Sequence, residues 1–332
     1  MTTDQTAEQA EAVLENAKQG VDRLRAVLSS AYIGQEQLVE QVLTGLFAGG
    51  HLLLEGSPGL GKTFLVRLLA KGLSLDFSRI QFTPDLMPGD ITGGLCLLTA
   101  ESGQTTLEFQ PGPIFANLVL ADEINRGTPK TQSALLEAMQ EQAVTLGNER
   151  RKLDSPFAVI ATQNPIEMEG TYPLPEAQLD RFLFKLDVPF PSLEELKRIG
   201  RETTARTSPD IEAVMGTAEL IEIQRVVREL VVSDPVADLA ARLTMQTHPE
   251  HSDVALVQQY VRFGASPRAT QALLMAGRAR ALMAGRPWVS EEDIVALASP
   301  VLRHRVFLSF DATLARVTSD NLVAAIVEHV GA

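Results

Sequence analysis

The stretch Gly56-Ser57-Pro58-Gly59-Leu60-Gly61-Lys62-Thr63 restricts the fold of this chain more than any other. Four residues separate Gly56 from Gly61 and a Lys-Thr pair follows directly, which is the spacing of a phosphate-binding P-loop. The apolar run from His51 to Glu55 ahead of it is short and ends at the glycines, as a buried strand does, and Lys62 to about Gly72 reads as a helix. A strand joined to a helix through such a loop aims backbone N–H groups and the positive end of the helix at one point, where phosphate oxygens bind. Glycine is needed there because a side chain would block the close approach and many of the required dihedrals. In this reading Lys62 contacts the terminal phosphates of a bound nucleotide, and the Thr63 hydroxyl ligates Mg2+.

The same alternation of strand and helix continues along the chain. An amphipathic helix precedes the loop, with apolar residues at Val13, Leu14, Ala17, Val21, Leu24 and Leu28, and a short helix from about Gln35 to Phe47 leads into the first strand. Strands are expected at Phe77 to Phe82, Leu118 to Ala121, Phe157 to Thr162 and Phe184 to Asp187, with a helix over Pro129 to Gln142. Strands alternating with helices predict an α/β fold, a parallel sheet covered on both faces, with binding at the strands' carboxyl ends.

After about Pro191 the strand-like runs stop and helix starts multiply. Ser192 with Glu195, and Ser290 with Asp293, have the spacing of capping boxes, while Asp234-Pro235 and Ser266-Pro267 look like N-caps followed by a proline in the first turn. Two domains are therefore expected, residues 1–190 as a nucleotide-binding core and residues 191–332 as an all-helical domain.

Two further polar motifs end buried runs. Leu118-Val119-Leu120-Ala121 leads into Asp122-Glu123, which places two carboxylates at a strand end, the arrangement of a Walker B motif. Asp122 would hold Mg2+ and Glu123 would orient and polarise the attacking water, although a solvated acidic turn would look the same in isolation. Ala161-Thr162-Gln163-Asn164-Pro165 ends another strand, and Asn164 is positioned to touch the attacking water or the terminal phosphate; an Asn in a plain turn is the alternative. Arg181 in Leu179-Asp180-Arg181-Phe182 is the candidate arginine finger, against an ion pair with Asp180. Arg268 lies in the first turn of a helix, where a cation opposes the helix dipole, so it should serve an anion such as the nucleotide's phosphate. Arg126 is readable either as a bridge to a neighbouring subunit or as part of the local turn.

Composition excludes several classes. With 42 acidic and 29 basic side chains the net charge is -13, which argues against a surface that tracks nucleic-acid phosphates. Cys96 is the one cysteine, so no intramolecular disulfide and no multi-cysteine metal site is possible. With neither a leader at the amino terminus nor an apolar stretch of membrane-spanning length, the expected location is cytoplasmic, with no membrane span.

Together GSPGLGKT, LVLADEINRGTPKTQSALLEAMQE, ATQNP, LPEAQLDRF and GASPRAT closely resemble the MoxR family of AAA+ ATPases, over roughly Gly56 to Arg286. The resemblance implies an αβα nucleotide-binding domain with an all-helical lid, ATP and Mg2+ as ligands, and a homo-oligomeric ring, expected to be a hexamer, that remodels or matures client proteins, with a von Willebrand A-type domain protein as an expected partner. It implies that Asn164 is sensor 1, that Arg268 is sensor 2, and that Arg181 is a finger acting in trans on the adjacent subunit's nucleotide. It also implies a helix-2 insert near Ile91 to Phe109 and a hairpin before sensor 1 near Val144 to Leu153, with turn signals at Ser102-Gly103 and Gly147-Asn148. The basic cluster Arg150, Arg151 and Lys152 on that hairpin is either a solvated edge or a partner contact. A DNA-stimulated AAA+ motor and the ATPase subunit of a metal chelatase are the competing functions; the acidic composition and the lack of a basic, aromatic-interleaved tract count against the motor.

Overall fold

A computed structural model describes residues 3–99, 105–147, 149–165, 170–203 and 211–331. Two helices, α1 (Thr3–Ala31) and α2 (Glu36–Phe47), precede β1 (Leu52–Glu55), and α3 (Lys62–Gly72) and β2 (Phe77–Gln81) follow it. A short α4 (Pro88–Thr92) opens a hairpin of β3 (Gly93–Thr99) and β4 (Thr105–Pro111), after which come β5 (Leu118–Asp122) and α5 (Pro129–Glu141). A second hairpin, β6 (Ala143–Leu146) with β7 (Glu149–Lys152), precedes β8 (Ala158–Gln163), the short α6 (Glu176–Leu179) and β9 (Phe184–Asp187). Both hairpins are antiparallel pairs. The expected Ser102-Gly103 turn lies outside the described residues, as does Asn148 of the second.

The sheet has the order β2-β5-β8-β1-β9 and every pairing in it is parallel. Its three central strands β5, β8 and β1 read as apolar runs because both faces are covered, while its edge strands β2 and β9 carry polar residues. Side chains alternate across it: Leu52, Leu54, Leu118, Leu120, Ala158 and Ile160 join one apolar cluster. Their intervening neighbours Leu53, Val119, Ala121, Val159 and Ala161 join a second, with Leu135, Leu136 and Met139 of α5.

The remainder is largely helical: α7 (Leu193–Thr203), α8 (Thr217–Glu229), α9 (Asp234–Met245), α10 (Ala255–Tyr260), then β10 (Val261–Phe263), α11 (Arg268–Met283), α12 (Glu291–Leu302), β11 (Phe307–Leu308), α13 (Phe310–Leu314) and α14 (Ser319–Gly331). The antiparallel pair β10–β11 qualifies the all-helical expectation, because a three-residue strand is too short to register as a period. Both capping boxes form, Ser192 with Glu195 and Ser290 with Asp293. The two proline starts are each displaced by one residue: Ser233 caps α9 with Pro235 behind Asp234, and α11 begins at Arg268, whose N–H reaches Ser266 Oγ at 3.2 Å. Helix α11 is the centre of this part, and its small buried residues Ala269, Ala272, Ala276 and Gly277 let neighbouring helices approach closely. A Cβ on Gly277 would come within 2.9 Å of Ile294.

Helices α1 and α2 do not stand apart from the lid. Leu14, Ala17, Val21, Leu24 and Leu28 of α1 are buried in the cluster that also holds Leu273 and Leu282 of α11 and Leu220 of α8, while Val13 faces outward.

Candidate nucleotide-binding site

Because the strands are parallel, the carboxyl ends of β1, β5 and β8 share one edge of the sheet, and Gly56, Asp122 and Asn164 emerge there together. At that edge lies a cleft of about 370 Å³ formed by Pro58 to Phe64, the Asp122-Glu123 pair and Thr162 to Asn164. Gly59 and Gly61 have φ of 82° and 80°, left-handed values that L side chains rarely adopt, and nothing lies within 4 Å of a Cβ built on Gly59. Gly56 packs tightly: a Cβ there would meet Val188 at 2.9 Å. The loop delivers α3 with Gly61 as N-cap and no side chain closing that end, so its first N–H groups point at the cleft.

Lys62 is half-buried with its Nζ on the carbonyls of Gly56 and Ser57, the latter at 3.1 Å. Burial lowers its pKa, and the neighbouring carboxylates Asp122, Glu123 and Glu55 act in the opposite sense. Asp122 accepts from Thr162 Oγ1 at 2.6 Å and from Thr63 Oγ1 at 3.3 Å. The Glu123 backbone is left-handed, with φ of 55°, and its N–H bonds Thr162 Oγ1 at 2.8 Å, which turns the side chain out of line with β5. Asn164 is 5% exposed, and its carbonyl accepts from Asn125 Nδ2 at 3.4 Å.

This donor set suits a magnesium-bound triphosphate. Thr63 and Asp122 are hard oxygen donors within hydrogen-bonding distance of each other, beside a loop whose glycines leave the backbone open to an anion. Beside the P-loop a second, apolar cavity of about 230 Å³ is walled by Tyr32, Ile33, Phe64, Phe190, Leu196 and Ile199. Burial pushes the Tyr32 hydroxyl up to about 12, so it stays protonated, and it donates to Gln35 Oε1 at 2.9 Å.

The two arginines lie elsewhere. Arg181 precedes β9, which runs parallel to β1, so it belongs to the amino-terminal edge of the sheet, opposite its own P-loop. One of its nitrogens donates to the Leu136 carbonyl, and its buried Nε has no partner among the described residues. The alternative pair with Asp180 does not form, because Asp180 bonds Arg305 Nε at 2.9 Å and Ser266 Oγ at 2.8 Å and sits 3.6 Å from Arg268. Arg268 thus sits beside Asp180 and is not among the residues that line the cleft at Lys62. It borders a cleft of about 320 Å³ together with Arg181, because the start of α11 is tied to Asp180.

Residues 51–184 match the family model described as "ATPase family associated with various cellular activities (AAA)", and residues 254–326 match "AAA lid domain". The chain is 43% identical to "Chaperone MoxR1" of Mycobacterium tuberculosis over 299 residues, 90% of this chain and 78% of that protein. It is 30% identical to "Protein MoxR" of Methylorubrum extorquens over 346 residues, covering 98% of this chain and 99% of that one. The chain belongs to the MoxR family of AAA+ ATPases. Its fold matches the crystal structure of a proposed ATPase from Cytophaga hutchinsonii, with a TM-score of 0.90 and 35% identity over 97% of this chain and 98% of that one.

Within this MoxR-family site several participants went unread in the sequence. Arg79 places Nη2 2.6 Å from Asp122 Oδ2, Gln81 Nε2 donates to Glu123 Oε2 at 3.0 Å, and Thr162 links the two acidic residues. Arg79 and Gln81 are two apart on β2 beside β5, so only the sheet order, which the sequence does not state, brings them there. Arg126 pairs with Glu123 at 3.0 Å within its own chain. The apolar cavity had one local sign, the Gly34-Gln35 bend, where both residues have positive φ. Among the described residues no helix is long and apolar enough to cross a membrane.

Proposed function

We propose that this chain hydrolyses ATP to ADP and phosphate, with Mg2+, at sites completed between neighbouring subunits of a ring, a hexamer by family resemblance, and that the cycle remodels or matures a client protein. The base fits the apolar cavity at Tyr32 and Phe64, and the triphosphate fits the loop Gly56 to Thr63. Lys62 is poised to exchange its loop carbonyls for terminal phosphate oxygens, a better charge match. Thr63 and Asp122 would hold the metal, which when bound offsets charge on the phosphate oxygens. Glu123 would take one hydrogen bond from the attacking water and Asn164 would fix that water or the terminal phosphate. Gln81 and Arg126 already hold one Glu123 oxygen, which limits how the carboxylate can turn.

The observation that carries the intersubunit reading is the placement of Arg181 across the sheet from its own P-loop. The four residues of β1 alone separate the two edges by about 13 Å at roughly 3.3 Å per residue. A guanidinium on the far edge serves a triphosphate only if another copy presents it, and a head-to-tail contact of that kind forms a ring when the rotation between copies closes. The relative named a chaperone supports client remodelling, and the family resemblance alone adds a von Willebrand A-type domain protein as a partner.

Arg181→Ala and Lys62→Ala subunits should each be inactive alone and regain ATPase activity on mixing, because some interfaces then combine an intact P-loop with an intact finger. Failure to complement while mixed oligomers form, seen by native mass spectrometry, would refute action in trans.

A further inference from the structure

Arg305 follows α12 and is 3% exposed, deep between the lid and the segment that carries Arg181. A guanidinium has five N–H donors, and all five are used. Nε bonds Asp180 Oδ1 at 2.9 Å, Nη1 bonds the carbonyls of Leu183, at 3.1 Å, and Val301, and Nη2 bonds the carbonyls of Asp180 at 3.2 Å and Phe182 at 2.7 Å. The two carbonyls on Nη2 belong to the residues on either side of Arg181. His304 adds a second bond to the Phe182 carbonyl through Nε2 at 3.0 Å. The other Asp180 oxygen takes Ser266 Oγ and lies 3.6 Å from Arg268, so one carboxylate ties the start of α11 to the same segment.

Holding the carbonyl of the residue before and of the residue after Arg181 restricts where its Cα lies and the direction of its side chain. We infer that Arg305 is the positioning residue for the finger: through it the lid sets where Arg181, with Arg268 alongside, meets the neighbouring subunit's triphosphate. This rests on the trans reading above. The finger is thereby attached to the lid of its own chain, so a lid movement driven by one nucleotide shifts the guanidinium offered to the next. Arg305 acts on the reaction through Arg181 and, by way of Asp180, through Arg268.

Arg305→Gln tests this in the full-length protein. Ring assembly and Mg·ATP affinity should stay within about twofold of the parent, since the P-loop of the same chain is untouched, while kcat falls by about 10- to 100-fold, the scale of an ångström-sized misplacement. Mixed in equal amounts with Lys62→Ala subunits, Arg305→Gln should recover toward a quarter of parental activity, because about a quarter of the interfaces join its intact P-loop to an undisturbed finger. Arg305→Lys, which keeps the buried charge but has three donors instead of five, should give an intermediate kcat. The inference is overturned if Arg305→Gln keeps parental kcat, if it weakens Mg·ATP binding as much as it slows turnover, if it fails to complement while Arg181→Ala complements, or if neither Arg305 variant assembles. Failure of the Arg181→Ala control instead overturns the trans reading, and this inference with it.

Discussion

Glu123 combines a backbone conformation that costs a non-glycine residue on the order of 1 kcal/mol with a side chain held by Gln81 and Arg126. A residue kept in that state by its neighbours suits a base whose position matters more than its strength. Glu123→Gln keeps the shape and removes the charge, so nucleotide binding should persist while turnover drops by about 10²- to 10³-fold. Paired binding titrations and phosphate-release rates measure both, and hydrolysis at the parental rate would remove the water-orienting role. Asp122, Glu123 and Asn164 were readable in the sequence because each ends an apolar run, and a polar residue there has one edge to occupy. Arg79, Gln81 and Thr162 were not, since each works across a strand pairing. Arg268 was read as serving a phosphate but not in which copy, because its direction depends on Asp180, 88 positions earlier in the chain.

Where elements join, buried histidine has a measurable signature. His51 Nε2 meets the Met139 carbonyl in α5 at 3.2 Å, and Nδ1 accepts the Val159 N–H in β8 at 3.0 Å, so the neutral ring links a helix to the sheet's amino-terminal edge. Burial lowers its pKa to about 4, with the bond to Met139 opposing. The unfolded chain, with an ordinary value near 6.5, therefore binds a proton that the folded chain refuses between those values. Its contribution is intact above about pH 6.5 and is lost as pH falls toward 4, about 3 kcal/mol over that range at roughly 1.4 kcal/mol per unit. Denaturant titrations across this window should show that loss in the parent and a flatter dependence in His51→Gln; parallel curves would remove His51 as a cause. Elements with local signals were legible, such as the helix starts at Ser192 and Ser290, whose carboxylate partners lie three residues away. The β10–β11 pair was not, because its strands are short and 43 residues lie between Phe263 and its partner Phe307.

For the whole molecule, one apolar cluster runs from Leu14 in α1 through one face of the sheet to Ile326 in α14. The chain folds back so that α1 lies against α3, α8 and α11, and the period in α1 disclosed a buried face without disclosing what covers it. Domains with separate cores unfold separately; a shared core predicts that the lid and the sheet lose structure together. The single tryptophan, Trp288, lies in the lid, whereas far-UV circular dichroism reports all helices. Their denaturant midpoints should coincide, and in Glu123→Gln protein, expected to bind without turnover, Mg·ATP at about 100 times its Kd should raise both equally, by the shift that about 2.7 kcal/mol of stabilisation produces. Lys62→Ala protein should show no such shift. A lid midpoint that separates from the global one, or stays still while the other moves, would mean that nucleotide bound at the loop is not transmitted to the lid through this core, and the attachment of the finger to the lid would then have no input to carry.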